Sequence, residues 1–306
     1  MKDISLLQSI LDRGEFAVTA ECGPPKGADP DSVIKKAGLM KGKVDSINVT
    51  DNQNAVVHMS SLAACILLKG EGIDPVLQIV VRDRNRIALQ SDILGASAIG
   101  IRNILCLSGD HQGFGNQPQA MGVFDLDSIQ FIQAVKDMRD RGRLIGGDPL
   151  SRPPDLFIGA VENPFADPLS FRVVRLAKKI TAGADFIQTQ CIYNLERFTQ
   201  WMDMVNERGL TDKVYILGGV TPLKSPAMAR YMNERISGVS IPEGVIKRIE
   251  GVSRKKQREE GIAICVETVQ RLKEIKGVSG AHIMAIEWED AVGEVVERAG
   301  LLPRPK

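Results

Sequence analysis

Eight short apolar runs in this 306-residue chain end on groups capable of chemistry: Glu21, Thr50-Asp51, Arg82-Asp83, Ser108-Gly109-Asp110, Glu162-Asn163, Gln190, Gly218-Gly219 and Glu287. Glu21 closes the run Phe16–Glu21 with no obvious basic partner close by in sequence. Burial at such a place raises a carboxyl pKa, which a general acid working near neutral pH requires. A carboxylate hydrogen-bonded to a loop is the competing reading. Asp110 follows Gly109, where the backbone can approach a ligand closely, although a turn-forming aspartate has the same local sequence. Gln190 is either a ligand contact or an amide satisfied by its neighbours.

Other chemistries lack their residues. His58, His111 and His282 show neither HxH nor HExxH spacing, so no histidine-held catalytic metal is expected. There is no GxSxG elbow and no P-loop, which argues against acyl transfer and nucleotide hydrolysis. Five scattered cysteines without a CxxC pair read as reduced, buried packing residues. The 39 basic and 38 acidic residues are interspersed, and without a basic patch a nucleic-acid partner is not expected. The opening stretch MKDISLLQSILDRGEF is amphipathic and lacks the apolar core of a secretory signal. No apolar run approaches the length of a membrane span, so a cytoplasmic protein without membrane contact is expected.

The runs that carry these groups alternate with helical patterns from end to end. Strands are predicted at Phe16–Glu21, Val44–Thr50, Pro75–Val81, Asn103–Ser108, Leu156–Glu162, Asp185–Ile192, Lys213–Gly219 and Ala281–Ile286. In the segment from His58, an apolar stripe of Met59, Leu62, Ala63, Ile66 and Leu67 predicts a helix stopped by Gly70. Asp167 as N-cap and Pro168 at the first helical position predict another, with Leu169, Val173, Leu176 and Ile180 as its stripe and Ala182-Gly183-Ala184 as its end. Between the seventh and eighth strands the chain is longer, with helices opening at Ile241-Pro242-Glu243 and over Ile262–Lys276. Alternating βα units favour a parallel sheet, and eight of them suit a closed (β/α)8 TIM barrel occupying residues 1–306 as one domain. An open doubly wound sheet is the runner-up. It would need a glycine-rich turn after the first strand, where Glu21-Cys22-Gly23-Pro24-Pro25 stands instead.

In such a barrel the C-terminal strand ends form the active-site face. Strand alternation places Ser46, Asn48 and Thr50 on one face, and Gln188 and Gln190 on one face of the sixth strand. The β-branched faces should pack on helices, leaving these polar faces toward the lumen, where they must pair with water, with each other or with a ligand.

The chain resembles the catalytic barrel of methylenetetrahydrofolate reductases from about Ile4 to Pro303. The residues that carry the resemblance are Glu21-x-x-Pro24-Pro25, Val49-Thr50, Leu107-Ser108-Gly109-Asp110, Asn163-Pro164, Ala182-Gly183-Ala184-Asp185 with Thr189-Gln190, Gly218-Gly219-Val220-Thr221-Pro222, and Gly238-Val239-Ser240-Ile241-Pro242. The resemblance implies that Glu21 is the general acid that opens the five-membered ring of methylenetetrahydrofolate. Reduced flavin then gives hydride to the resulting iminium carbon, yielding methyltetrahydrofolate. Asp110 matches an aspartate near both flavin and pterin, and Gln190 matches a folate-binding glutamine. Thr50, Gly109 and Lys179 match flavin contacts, with Lys179 reaching toward the phosphates. Asp51, Gln78, Ser108, Phe124, Asn163, Arg172 and Arg175 complete the implied cofactor surroundings. The implied cofactor is FAD, with FMN as the alternative.

The sequence also departs from the family pattern. Gln78 stands in place of a histidine, Ser108 of an arginine, Arg172 of an aspartate, and Pro226 of an aromatic residue. These changes bear on the form of the flavin and on direct use of NADH. The run Gly280–Ile286 resembles the short reductases of acetogenic anaerobes. That likeness implies an oligomer receiving electrons through a cysteine-rich iron–sulfur or zinc partner subunit. Two other readings stay open: a flavin-free pterin-binding methyltransferase barrel, and a flavin-binding subunit of an electron-transfer complex.

Overall fold

The computed structural model describes residues 4–236 and 238–305. The first half of the chain runs α1 (Leu6–Asp12), β1 (Ala17–Cys22), α2 (Pro30–Met40), β2 (Ser46–Val49), α3 (Ser61–Gly70), β3 (Pro75–Val80), α4 (Arg86–Ala98) and β4 (Asn103–Leu107). It continues through α5 (Ser128–Arg141), β5 (Phe157–Glu162), α6 (Leu169–Ala182), β6 (Phe186–Cys191), α7 (Leu195–Glu207) and β7 (Tyr215–Val220). Three helices, α8 (Pro226–Arg235), α9 (Glu243–Glu250) and α10 (Gln257–Glu274), precede β8 (Val278–Ile283) and α11 (Asp290–Arg298). The strands close in sequence order into an eight-stranded barrel, with β8 paired to β1 in parallel from Ala17↔Gly280 to Ala20↔Ile283. The expected (β/α)8 barrel is therefore the observed fold.

The lumen is graded along its axis. At its N-terminal end, Ala17, Val76, Leu105, Phe157, Phe186 and Leu217 form an apolar cluster with Leu7, Ile10 and Leu11 of α1. The amphipathic first helix thus plugs the barrel floor. One step further along the strands the same faces carry Thr19, Asn48, Gln188 and His282, all buried and bonded to one another. The opposite strand faces pack under the helices in a cluster that includes Ile47, Ile79, Ile104, Ile187, Phe198 and Trp201. Full burial of a side chain of this size contributes about 1.5–3 kcal/mol. The extra helices α8 and α9 bury Ala229, Met232, Ile246 and Ile249 in a satellite cluster with Tyr193, Leu223 and Ile264.

Local details differ from the sequence expectations. In α3 the buried residues are Ser61, Ala64, Cys65 and Leu68, whereas Ile66 is exposed and Leu62 and Leu67 are half-buried. Small side chains face the barrel because the helix lies close to it: the Ser61 hydroxyl donates to the Gln78 carbonyl at 2.9 Å. The N-cap of α6 is Pro168 rather than Asp167. The Asp167 carboxylate instead accepts from Arg197 at 2.6 Å. β8 begins and ends three residues before its predicted bounds. Gly280 permits this, since a Cβ there would lie 2.4 Å from the Ala17 carbonyl oxygen. Glu287 consequently stands in the loop beyond β8, with φ +50°.

Candidate active site

The polar lumen layer is built by alternation on four strands. Asn48 of β2 and Gln188 of β6 exchange two amide hydrogen bonds across the barrel, at 2.7 and 3.1 Å. Gln188 also donates to the Thr19 hydroxyl at 3.1 Å, and that hydroxyl lies 2.9 Å from His282 Nδ1. The other ring nitrogen, Nε2, stands 3.6 Å from Glu21 Oε2. The carboxylate without a local basic partner therefore faces a histidine from the far end of the chain. Glu21 sits at the mouth with its side chain 14% exposed, and its charge reaches the Cys191 thiol beside Gln190 on β6.

Arg82 binds the neighbouring loops together. Its buried guanidinium donates to the Asn52 carbonyl after β2, to both carboxylate oxygens of Asp83 after β3, and to the Asp110 carbonyl after β4. A bidentate arginine–carboxylate pair holds such a geometry better than a single bond. Asp51 is buried with its carboxylate occupied by the Val80 amide and by Arg84, the latter at 2.6 Å. Gly109 has φ +84°, and this turn leaves Ser108 and Asp110 exposed at the mouth. Among the described residues, the non-glycine positions with positive φ, namely Asn52, Asn54, Ala55, Phe124 and Glu287, all lie in loops that leave the C-terminal strand ends. Each such conformation costs about 1–3 kcal/mol and persists only where its surroundings impose it.

Around β5 and α6 the polar groups divide. Lys179 is buried, with its ammonium on the Val161 carbonyl and, at 2.7 Å, on Glu162 Oε2. It is thus committed to the strand end rather than reaching outward. Arg172 and Arg175 lie near it, close enough for their charges to disfavour its ammonium. Arg172 Nε is buried without a hydrogen-bond partner. An orphaned guanidinium nitrogen beside a second arginine suits an anionic group such as a phosphate. Asn163 caps the turn after β5 by accepting from the Phe165 amide at 3.0 Å. Gln78 is buried within β3, Phe124 is exposed in the loop before α5, and Pro226 forms the first turn of α8. Gln190 accepts from the Cys191 amide at 2.9 Å.

All five cysteines are buried and unbridged. Burial pushes the Cys22 and Cys191 thiols up to about 12 and about 11, so both are protonated packing groups at neutral pH. Among the described residues no group of three or more His, Cys, Asp or Glu is arranged to hold a metal ion, and no helix is long and apolar enough to cross a membrane.

The sequence reading placed Glu21, Asp110 and Gln190 at strand ends, where the structure has them. It did not find the joining role of Arg82, nor His282 as the neighbour of Glu21. Alternation in the last strand, with Gly280 and His282 on one face, was the available signal for the histidine.

A closed parallel barrel with a carboxyl group, amides and arginines gathered at its C-terminal mouth defines a barrel enzyme of small-molecule chemistry. The methylenetetrahydrofolate reductase family profile matches residues 6–300, and the chain belongs to that family. A reductase from Pectobacterium carotovorum is 21% identical, with 98% of this chain and 95% of that protein aligned. Methylenetetrahydrofolate reductase 1 of Schizosaccharomyces pombe is 26% identical over 75% of this chain but only 36% of its own length. The chain spans well under half of that yeast protein and 44% of a similar nematode protein. Among solved structures, a Clostridium thermocellum protein described as binding two copies of 5-methyl-5,6,7,8-tetrahydrofolic acid aligns with a TM-score of 0.64 and 16% identity. That alignment covers 95% of this chain and 98% of that one, and it speaks to the fold alone.

Proposed function

We propose that this chain reduces 5,10-methylenetetrahydrofolate to 5-methyltetrahydrofolate with FAD as its cofactor. The observation that carries the reading is Glu21, a largely sheltered carboxyl group at the mouth of a barrel of this family. Flavin, when bound and reduced, supplies hydride to the one-carbon unit. Glu21 gives its proton to the ring nitrogen that leaves as the five-membered ring opens, and this exposes an electrophilic carbon. Asp110, exposed on the turn fixed by Gly109 and Arg82, places negative charge beside the developing cation. Gln190 hydrogen-bonds the pterin. Thr50 and Ser108 line the flavin side of the mouth, and Arg172 and Arg175 take its phosphates. Lys179 acts through Glu162 by fixing α6 against β5. The protein works in the cytoplasm as an oligomer and receives electrons from a cysteine-rich partner subunit.

The experiment is an anaerobic visible spectrum of the purified chain, before and after methyltetrahydrofolate is added. Flavin bands that bleach on addition support the reading, and Glu21→Gln should slow bleaching by about 10²–10⁴-fold with flavin still bound. A protein that stays colourless after reconstitution with FAD or FMN, yet binds the folate, would replace it with the methyltransferase reading.

A further inference from the structure

A short basic run, Arg254-Lys255-Lys256-Gln257-Arg258, departs from the overall balance of charge. Its four cations are exposed, and among the described residues none has an ion pair with a carboxylate. Their neighbours in the same helical excursion are paired: Arg248 holds Glu260 and Glu267 at 2.5 and 2.6 Å, and Arg230 holds Glu250 at 2.8 Å. The run leads into the first turn of α10, whose N-cap, Lys256, makes no capping hydrogen bond. Cations at that end of a helix oppose its dipole, so the helix itself gives no reason for them.

The fold puts this run on the rim of the mouth. The start of α10 lies so close to the loop after β7 that a Cβ on Gly261 would stand 1.8 Å from the Leu223 carbonyl oxygen. Arg258 lies over the Trp288 ring at 5.7 Å to its centroid, and Lys224 at 6.0 Å. Lys224 also donates to the carbonyls of Ile286 and Glu287, at 2.8 and 3.1 Å, which ties the loops after β7 and β8 together. Trp288 follows His282 of the lumen layer by six residues, a reach of roughly 20 Å at most. The nearby acids serve other partners. Glu259 lies in the first turn of α10 and Asp290 in that of α11, and Glu289 pairs with Lys36 at 3.3 Å.

We infer that Arg254, Lys255, Lys256 and Arg258 bind the glutamate tail of the folate and make this enzyme prefer folates lengthened by γ-linked glutamates; this rests on the reading of the substrate as a folate. With the pterin between Glu21, Asp110 and Gln190, the carboxylates at the other end of the substrate must leave the mouth. Two cationic sectors meet them there. Arg172 and Arg175 of α6 take the cofactor phosphates on the same reading, and the strip at the start of α10 remains. Each further glutamate adds one carboxylate on a flexible chain, which a strip of unpaired cations holds without a fixed pocket. The attraction is exposed to solvent, so it is modest for each charge and screened by salt. An acidic protein is the other partner such a strip would take. The tail is favoured because the strip adjoins the loop that continues β8 out of the lumen.

The test is anaerobic isothermal titration calorimetry of the flavin-loaded protein, kept reduced so that no hydride passes. The ligands are methyltetrahydrofolate with one glutamate and with five. The longer form should bind about 10-fold more tightly, from four added carboxylates at the strength of exposed ion pairs. Raising the salt from about 0.05 to about 0.5 M should shrink that ratio to about 2. Lys255→Glu with Lys256→Glu should bring it to about 1 at low salt. Arg208→Glu with Lys213→Glu makes the same change of charge on exposed residues outside the rim, between α7 and β7, and should keep the ratio. Should the first pair not fold, Lys255→Gln with Lys256→Gln should still lower the ratio about threefold.

Equal affinity for the two folates overturns the inference and leaves the strip to an acidic protein. A preference that survives the charge reversal, or falls equally in the control pair, overturns it as well. If neither folate binds, the substrate reading fails and the inference with it, an outcome told apart by the missing monoglutamate binding.

Discussion

Lys179 Nζ lies 2.7 Å from Glu162 Oε2, and the two side chains are only 7% and 2% exposed. The lysine belongs to the last turn of α6 and the glutamate ends β5, so one buried pair fixes the helix against a strand end at the mouth. Burial pulls the Lys179 pKa below its ordinary value, and the Glu162 charge opposes that shift. The pair stands beside Asn163, whose amide also donates to the Glu162 carboxylate at 3.1 Å.

Removing one partner leaves the other as an uncompensated buried charge. Lys179→Met should therefore destabilise the fold by about 3–5 kcal/mol in urea titrations. The double variant Lys179→Met with Glu162→Gln should lose distinctly less. A single-variant loss below about 1 kcal/mol, the range of exposed pairs, would mean that Glu162 is reached by water.

Gly109→Ala tests the turn that presents Asp110. At φ +84° an alanine is strained by about 1–2 kcal/mol. Its Cβ would also stand 3.0 Å from the Val80 Cβ. The expected outcome is a modest fall in melting temperature with a larger fall in the rate of flavin bleaching. Unchanged bleaching would show that the position of Asp110 does not matter.

The amide pair in the lumen should behave as a unit. Gln188→Leu strands the Asn48 amide in a buried layer and should cost about 1–3 kcal/mol beyond the change in packing. Asn48→Leu combined with Gln188→Leu should be less destabilising than the two single losses added. Strict additivity in a double-mutant cycle would refute the pairing.

A pH signature is expected at the exposed pair Arg86–Asp125. Hydrogen bonds from the Arg86 side chain, then from its backbone amide, lower the Asp125 carboxyl to about 2. The folded state thus favours the charged form. Its contribution is complete above the ordinary carboxyl value of about 3.9 and is lost as pH falls toward 2. A ¹³C carboxyl titration should give a midpoint near 2, moving upward in Arg86→Ala. An Asp125 midpoint that ignores the substitution would show that the pair does not form in solution.

The sequence by itself determined the repeating βα unit, the closed barrel as its favoured arrangement, and the polar character of the strand ends. These follow from local periods: apolar residues at spacing two or 3.6, and breakers such as Gly183 after α6. It also determined that Asn48 and Gln188 share their strands' lumen-facing sides, because strand alternation is set by the backbone. It could not say which groups meet. Asn48 and Gln188 are 140 residues apart, and Thr19 and His282 are 263 apart. Their contacts depend on barrel closure and strand register. The same holds for α3, where the leucine stripe was legible but the buried face follows how closely the helix approaches β3. It holds for Lys179, whose helical position was readable while its commitment to Glu162 arises from how α6 docks on β5. Periodicity is a property of one segment, whereas a partner is a property of two, and only the packed barrel brings the two together.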